Sequence, residues 1–147
     1  MDEVRQKVEQ RAKDVYYGKT LRKSFARYQE ILEMPNLLEV QNYLTSLRMT
    51  DAVLSYAIRL CEASRSHPLV ELGISPRGIS ALVKMSRAGA VLQERNYVVP
   101  EDVQRVFVDV CAHRLLLRPQ ARVDGVTAKD VLNEVLQKIK PPAAGER

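Results

Sequence analysis

Residues 71–78 read ELGISPRG, and a long stretch with helical apolar spacing follows them. Ser75 is a favourable N-cap residue, and Pro76 suits the first helical position because its missing N–H needs no partner there. Arg77 then lies in the first turn, at the positive end of the helix dipole, where a cation is mildly unfavourable unless an anion binds beside it. The stretch therefore predicts a helix start at Ser75 and a candidate anion site at Arg77.

Outward from this stretch, composition and apolar spacing favour a mainly helical, all-α fold, with a bundle of about five to six helices after an N-terminal helical part. The 147 residues are 46% hydrophobic, enough for one domain with its own core, and include only 6 Gly and 7 Pro. Apolar residues recur every three or four positions, which is the pattern of amphipathic helices. We predict helices over residues 3–16, 19–32, 37 to about 47, 51 to about 67, 76 to about 93, 100 to about 110 and 127 to about 139.

Short extended stretches predict at most one very short two-stranded β element, near residues 97–99 and 115–124. Residues 115–117 are leucines that fit either a short strand or a buried tail of the preceding helix, and Pro119 ends either one. Residues 122–125 have the pattern of an extended segment followed by a turn. We expect a loop over residues 68–75.

The two cysteines, Cys61 and Cys111, lie on the apolar faces of separate predicted helices, and we expect reduced core thiols without a local partner. A zinc site that adds His67 and His113 is disfavoured, because residues 111 and 113 point to nearly opposite sides of a helix. We therefore predict no metal site. Cys–His or Ser–His catalysis is not expected either, since no such pair has a glycine elbow or an orienting acid.

The formal charge of +5 is modest, but one predicted helix has a basic face. Four residues form it: Lys19, Arg22, Lys23 and Arg27. One alternative function is therefore a stand-alone basic helical module that binds nucleic acid. The aromatic residues Tyr17, Phe25 and Tyr28 lie on the opposite face, where they are better placed to fill a core than to stack on bases. A solvated basic face is the simpler interpretation, and nucleic acid is not the expected partner.

The sequence has no charged-then-apolar leader and no uninterrupted apolar run near the roughly 18 residues of a membrane-spanning helix. Neither a secretory signal nor a membrane span is expected on this pattern. We therefore predict a cytoplasmic protein.

Several short motifs occur in a fixed order along the chain. They are ASRSHP at 63–68, LGISPRG at 72–78, NYVVPEDV at 96–103 and HRL at 113–115. Together they strongly resemble the C-terminal part of MoxR-family AAA+ ATPases, over roughly residues 36–139. The resemblance implies a AAA+ lid domain at 36–140. Residues 1–35 match the family weakly, and periodicity alone predicts N-terminal helical segments there. The sequence from Pro141 predicts a disordered tail at 141–147.

In that family the Ser-Pro-Arg arginine is the sensor 2 residue, so the resemblance implies this role for Arg77. The lid would pack over ATP and Mg²⁺ held by a core domain, and Arg77 would reach the γ-phosphate with its planar guanidinium. The candidate nucleotide contacts are Gly73, Ile74, Ser75, Pro76 and Arg77. Gly73 and Gly78 could let the backbone approach the nucleotide, and Ile74 could pack near the adenine. Without the resemblance, the simplest interpretation of Arg77 is a solvated or salt-bridged arginine.

Three other polar residues of the motifs have a simpler expected role. His67, His113 and Arg114 are expected at helix ends, where they would interact with free carbonyl groups. For Arg114, contact with a neighbouring subunit is an alternative.

The sequence departs from the family pattern at three places. Ile74 stands where a small residue is usual, Ser64 where Thr is common, and Glu94-Arg95-Asn96 where Gly-Arg-Asp is frequent. The last departure makes the turn after the central helix less obviously glycine-terminated. None of them changes Arg77.

The 147 residues contain no Gly-x-x-x-x-Gly-Lys-Ser/Thr loop and no apolar strand ending in paired acids. We therefore expect this chain neither to bind ATP tightly nor to hydrolyse it alone, and to be a piece of a longer protein. The resemblance implies a AAA+ core domain as partner, a ring-forming homo-oligomer, and chaperone-like remodelling or maturation of protein complexes with von Willebrand factor A domain proteins. A further alternative is an interaction module that docks a substrate or partner of such an assembly.

Overall fold

The computed structural model describes residues 37–143, which contain six α-helices and one small sheet. The helices are α1 (Leu37–Ser46), α2 (Asp51–Arg65), α3 (Pro76–Leu92), α4 (Pro100–Cys111), α5 (Pro119–Val123) and α6 (Ala128–Lys138). A 3₁₀ turn at Ala112–Arg114 follows α4, and strands β1 (Val70–Leu72) and β2 (Leu116–Leu117) form the sheet. The predicted all-α class is confirmed. The helices predicted over 3–16 and 19–32, with the basic face of the second, lie outside the described residues.

Side chains cap the helices where the sequence predicts their starts. Thr50 accepts a hydrogen bond from the Val53 N–H at 3.4 Å, at the start of α2. At the start of α6, Thr127 and Asp130 form a capping box, in which Asp130 accepts from the Thr127 N–H at 2.8 Å. These bonds satisfy N–H groups that have no partner inside a helix. The hydrogen bonds from Thr127 also hold the pKa of Asp130 below its ordinary value.

The core lies between the four longest helices. The 17-residue α3 packs along α4, α2 also contacts α3, and α6 contacts α2 and α4. The largest wholly buried side chains include Tyr56, Phe107, Leu60, Ile74, Leu82 and Leu132. The Tyr56 hydroxyl accepts a hydrogen bond from Gln104 Nε2 at 3.0 Å, so the one polar atom of this buried ring has a partner. Within residues 37–143, no helix has the length and apolar character needed to cross a bilayer.

The small sheet is antiparallel and pairs Val70 with Leu117 and Leu72 with Leu116. One strand lies in the predicted 115–124 stretch, but the other lies within residues 68–75, where we expected a loop. The strand predicted at 97–99 is wrong, because Tyr97 forms only an isolated bridge with Arg48. Strands of two or three residues carry little local signal, so tertiary pairing decides where they form.

Residues 119–123 form the short helix α5, whereas the sequence predicted an extended segment over 122–125. Pro119 occupies the first helical position, where its fixed φ favours a helix start, so it opens a helix as well as ending the preceding strand. Gly125 has a φ of 69°, the left-handed conformation that commonly follows a helix end. The Arg-Val-Asp-Gly pattern is therefore a helix end followed by a glycine turn.

The turn after α3 contains a strained backbone conformation at Glu94. Its φ is 60°, in the left-handed region that costs a non-glycine residue about 1–2 kcal/mol. Glu94→Gly should therefore raise the free energy of unfolding by about 1 kcal/mol, measured by urea unfolding with circular dichroism. Glu94→Ala removes the same carboxylate but keeps a Cβ, and should give no comparable gain. An equal gain in the free energy of unfolding in both variants would show that loss of the Glu94 charge, and not relief of backbone strain, causes the effect.

Candidate functional site

Arg77 lies in the first turn of α3, as the sequence predicts. Ser75 is the N-cap and accepts a hydrogen bond from the Gly78 N–H at 3.3 Å, and Pro76 is the first helical residue. The Arg77 side chain is exposed, and no residue in the described part of the chain forms a hydrogen bond or an ion pair with it. A guanidinium with unused donors therefore stands at the positive end of a long helix, which favours a bound anion.

The turn that precedes Arg77 is fastened to the end of α2 through the backbone of Ile74. Ser64 Oγ accepts a hydrogen bond from the Ile74 N–H at 3.3 Å and donates one to the Cys61 carbonyl at 2.6 Å. Arg65 donates to the Ile74 carbonyl from Nε at 3.1 Å and from Nη2 at 2.8 Å. Both polar groups of this residue are thus engaged by consecutive side chains of one helix.

Two of the expected nucleotide contacts, Gly73 and Ile74, have a role inside the lid. The Ile74 side chain is 0% exposed and belongs to the core, so it has no surface for the adenine contact that we expected. A Cβ on Gly73 would lie 2.4 Å from Arg65 Cγ, and one on Gly78 would lie 2.5 Å from Ile74 Cγ2. The two glycines therefore make room for the protein's own side chains. Ser75, Pro76 and Arg77 are the exposed residues of the predicted set.

A second arginine, Arg114, borders the same helix start. Its Nε donates to the Val110 carbonyl at 3.1 Å, which is the helix-end interaction predicted for it. A Cβ on Gly78 would lie 3.3 Å from Arg114 Cδ, so this half-buried side chain runs beside the first turn of α3. Arg65, Arg77 and Arg114 thus place three positive charges around one helix N-terminus, an arrangement that attracts anions.

His67 links the end of α2 to α6, whereas we predicted contacts with free helix carbonyls. Its Nδ1 accepts a hydrogen bond from the Leu69 N–H at 3.2 Å, and its Nε2 lies 3.1 Å from Glu134 Oε2. This pattern fits the neutral tautomer that carries its proton on Nε2. Lys138 and His67 together hold the pKa of Glu134 below its ordinary value. His113 is exposed in the 3₁₀ turn.

Cys61 and Cys111 are buried free thiols on α2 and α4, as predicted, but they are neighbours. A hydrogen bond between the two side chains, together with burial, raises the pKa of Cys61 well above its ordinary value. The two thiols therefore form a buried contact between α2 and α4. Among the residues that the structure describes, no three His, Cys, Asp or Glu side chains are grouped so that they could hold a metal ion.

Comparison with known protein families agrees with this geometry. A family model, that of the AAA lid domain, matches residues 62–135, half of the chain. The chain belongs to the AAA lid domain family. The matched region of this lid domain runs from the last turn of α2 through Arg77 and α4 into α6.

Relatives of the lid domain include MoxR proteins. The chain is 31% identical to Chaperone MoxR1 of Mycobacterium tuberculosis over 122 residues, which cover 77% of this chain and 32% of that protein. It is 32% identical to YeaC of Bacillus subtilis, an uncharacterised protein, over 112 residues that cover 76% of this chain and 35% of YeaC. A stretch of 51 residues is 49% identical to Protein MoxR of Methylorubrum extorquens and covers 35% of this chain and 15% of that protein. The chain spans about a third of the length of the first two relatives.

A solved structure has the same fold as the lid domain. It is an ATPase candidate from Cytophaga hutchinsonii, matched with a TM-score of 0.68 over 87% of this chain and 44% of that chain. The two sequences are 21% identical in this match, so it supports the fold alone.

Sequence reasoning missed Ser64 and Arg65 as supports of the site. Both lie in the ASRSHP motif, which pointed to the family without indicating what the two side chains contact. Their partner, Ile74, is ten and nine residues further along the chain. Because helical periodicity reports only neighbours three or four residues apart, it carries no signal for such a contact.

Proposed function

We propose that this lid domain works within a MoxR-type AAA+ ATPase, where Arg77 is the sensor 2 residue that contacts the γ-phosphate of ATP bound to a core domain. The observation that carries the proposal is the exposed Arg77 at the start of α3, without a partner among residues 37–143. Membership of the AAA lid domain family supports a AAA core domain as its partner. The backbone at Arg77 is then shaped and oriented by the four residues before it, Gly73, Ile74, Ser75 and Pro76.

An arginine suits this role because its guanidinium stays charged and can donate two parallel hydrogen bonds to phosphate oxygens. The positive end of α3 adds to the same electrostatic field. Negative charge is spread over the phosphoryl oxygens in the transition state, so a cation held in place there lowers the barrier. The core domain would hold ATP and Mg²⁺, and the lid would supply this cation.

The same contact would couple ATP hydrolysis to motion. ATP has a γ-phosphate and its hydrolysis product ADP does not, so the attraction between lid and nucleotide would be lost when the phosphate leaves. The Arg77 backbone is fastened to α2 through Ile74 and to the core through the length of α3. Formation or loss of the contact between Arg77 and the γ-phosphate would therefore move the lid as a rigid body relative to the core domain. The complete protein would act as a ring-forming homo-oligomer.

The client of such an assembly would be a protein complex. We propose that the complete protein is a cytoplasmic, chaperone-like ATPase that remodels or matures protein complexes, with von Willebrand factor A domain proteins among its partners. The family resemblance supports this class, and one relative is named as a chaperone, MoxR1 of Mycobacterium tuberculosis.

Arg77→Ala in the complete ATPase should lower ATP turnover at saturating ATP by about tenfold or more, because the transition state loses a charge-assisted contact. Arg77→Lys keeps the charge without the bidentate geometry and should restore only part of the rate. Arg122→Ala removes another exposed arginine, on α5, and should leave turnover unchanged. Turnover that is the same with Arg77→Ala as with the unaltered enzyme would contradict the assignment.

A further inference from the structure

Arg65 is an exposed arginine at the end of α2 whose head group binds a backbone carbonyl instead of an acid. Two of its nitrogens, Nε at 3.1 Å and Nη2 at 2.8 Å, converge on the Ile74 oxygen. The absence of a side chain at Gly73 permits this arrangement, since a Cβ there would lie 2.4 Å from Arg65 Cγ and 2.9 Å from Arg65 Cα. The arginine stem therefore lies flat against the turn that leads to Arg77.

We propose that Arg65 is a positioning residue for Arg77. It holds the turn over residues 73–75 at a fixed place against α2 and thereby sets the direction in which the Arg77 side chain projects from the lid. The functional half of this inference rests on the proposed sensor role of Arg77. The structural half, that Arg65 fixes the turn, stands on the described contacts alone.

The contacts separate this role from a general contribution to stability. The Ile74 side chain lies in the core, and its N–H donates to Ser64 Oγ; neither contact involves Arg65. Arg65 is exposed and covers the Ile74 carbonyl, so water can reach that carbonyl once the arginine is removed. The fold should therefore persist while the turn opens more often. The next residue, Ser75, caps α3 by accepting a hydrogen bond from the Gly78 N–H. Opening of the turn at Ile74 would therefore also loosen the first turn of α3, which contains Arg77.

Hydrogen exchange in the 147-residue chain tests the structural half. Arg65→Met keeps the stem that packs on Gly73 and removes both donors, so the Ile74 and Gly78 amides should exchange about tenfold faster. The free energy of unfolding should fall by no more than about 1.4 kcal/mol, the equivalent of that tenfold change. Arg59→Met, on the same helix, is the matched control, because Arg59 lies over the Tyr56 ring at 5.8 Å from its centroid and should leave both amides unchanged. Unaltered exchange of these amides in Arg65→Met would overturn the proposal.

Turnover of the complete ATPase tests the functional half. Arg65→Met should lower turnover about fivefold while the KM for ATP changes by less than about twofold, since Arg65 does not touch the nucleotide. Arg65→Lys keeps a charged nitrogen that can donate to the Ile74 carbonyl, and it should recover part of the rate. In the Arg77→Ala background, Arg65→Met should cause no further loss, because the residue that it positions is already absent.

The double variant distinguishes the two proposals. A further fivefold loss on adding Arg65→Met to Arg77→Ala would show that Arg65 acts independently, and would overturn the positioning role. Unchanged turnover in Arg77→Ala alone would overturn the proposed function and the functional half of this inference. The exchange of the Ile74 and Gly78 amides would still decide the structural half.

Discussion

Replacing Arg95 by methionine should lower the free energy of unfolding by about 3 kcal/mol, because the buried Asp102 carboxylate would lose the two charge-assisted hydrogen bonds that Arg95 donates. Arg95 donates to both Asp102 oxygens, at 2.8 Å and 2.6 Å, and the Asp102 side chain is 0% exposed. These bonds raise the pKa of Arg95 above its ordinary value. The Val99 N–H donates to the same carboxylate at 2.9 Å. The pair therefore joins the turn after α3 to the start of α4, the two helices that pack along each other.

The chain offers a matched control for this variant. Arg105 Nη1 lies 3.7 Å from Asp102 Oδ1, which also accepts a hydrogen bond from Arg95 Nη2. The Arg105 side chain is 51% exposed, against 22% for Arg95. Arg105→Met should cost less than about 0.5 kcal/mol, because exposed ion pairs contribute little. Urea unfolding of both variants at neutral pH gives the comparison. Similar losses in the two would show that burial of the Arg95–Asp102 pair does not determine its contribution.

Gly78→Ala and Gly89→Ala should change the free energy of unfolding in opposite directions, although both replace glycine in α3. A Cβ on Gly78 would lie 2.5 Å from Cγ2 of Ile74, which is wholly buried and has little room to move. Overpacking of this kind should cost about 2 kcal/mol. Among residues 37–143, no atom outside the helix's own backbone lies within 4 Å of a Cβ on Gly89. Alanine there should therefore gain about 1 kcal/mol from its higher helix propensity.

Thermal and urea unfolding of the two variants would measure both signs. Because both substitutions add the same methyl group to the same helix, a difference in sign isolates the effect of the surroundings. Destabilisation by Gly89→Ala would mean that this position faces a partner in the remainder of the chain. Stabilisation by Gly78→Ala would mean that the contact with Ile74 relaxes, and would weaken the case that this glycine shapes the start of α3.

The long helices could be predicted from local sequence. The Ser75-Pro76 pair predicts the start of α3. Apolar spacing from residue 127 predicts α6, whose start Thr127 and Asp130 cap in the structure. In both cases the decisive residues are close together in the chain, so capping and periodicity carry the whole signal. Arg77 was found in the same way, because its position relative to a helix start is a local property.

The remaining features depend on contacts between distant residues. The buried Asp102 side chain pairs with Arg95, which lies on the other side of the turn between α3 and α4. Strand β1 was expected to be a loop, since only its pairing with β2, more than forty residues later, makes it a strand. The anchoring of Ile74 by Ser64 and Arg65 likewise joins the end of one helix to the start of the next. Such pairings arise from packing, which local patterns do not encode.

The most direct test of the sensor assignment compares the affinity of the complete ATPase for a non-hydrolysable ATP analogue with its affinity for ADP. If Arg77 contacts the γ-phosphate, Arg77→Ala should weaken binding of the analogue by about tenfold and leave ADP binding within about twofold, because ADP lacks that phosphate. Equal losses for the two nucleotides, or no loss for either, would contradict the assignment.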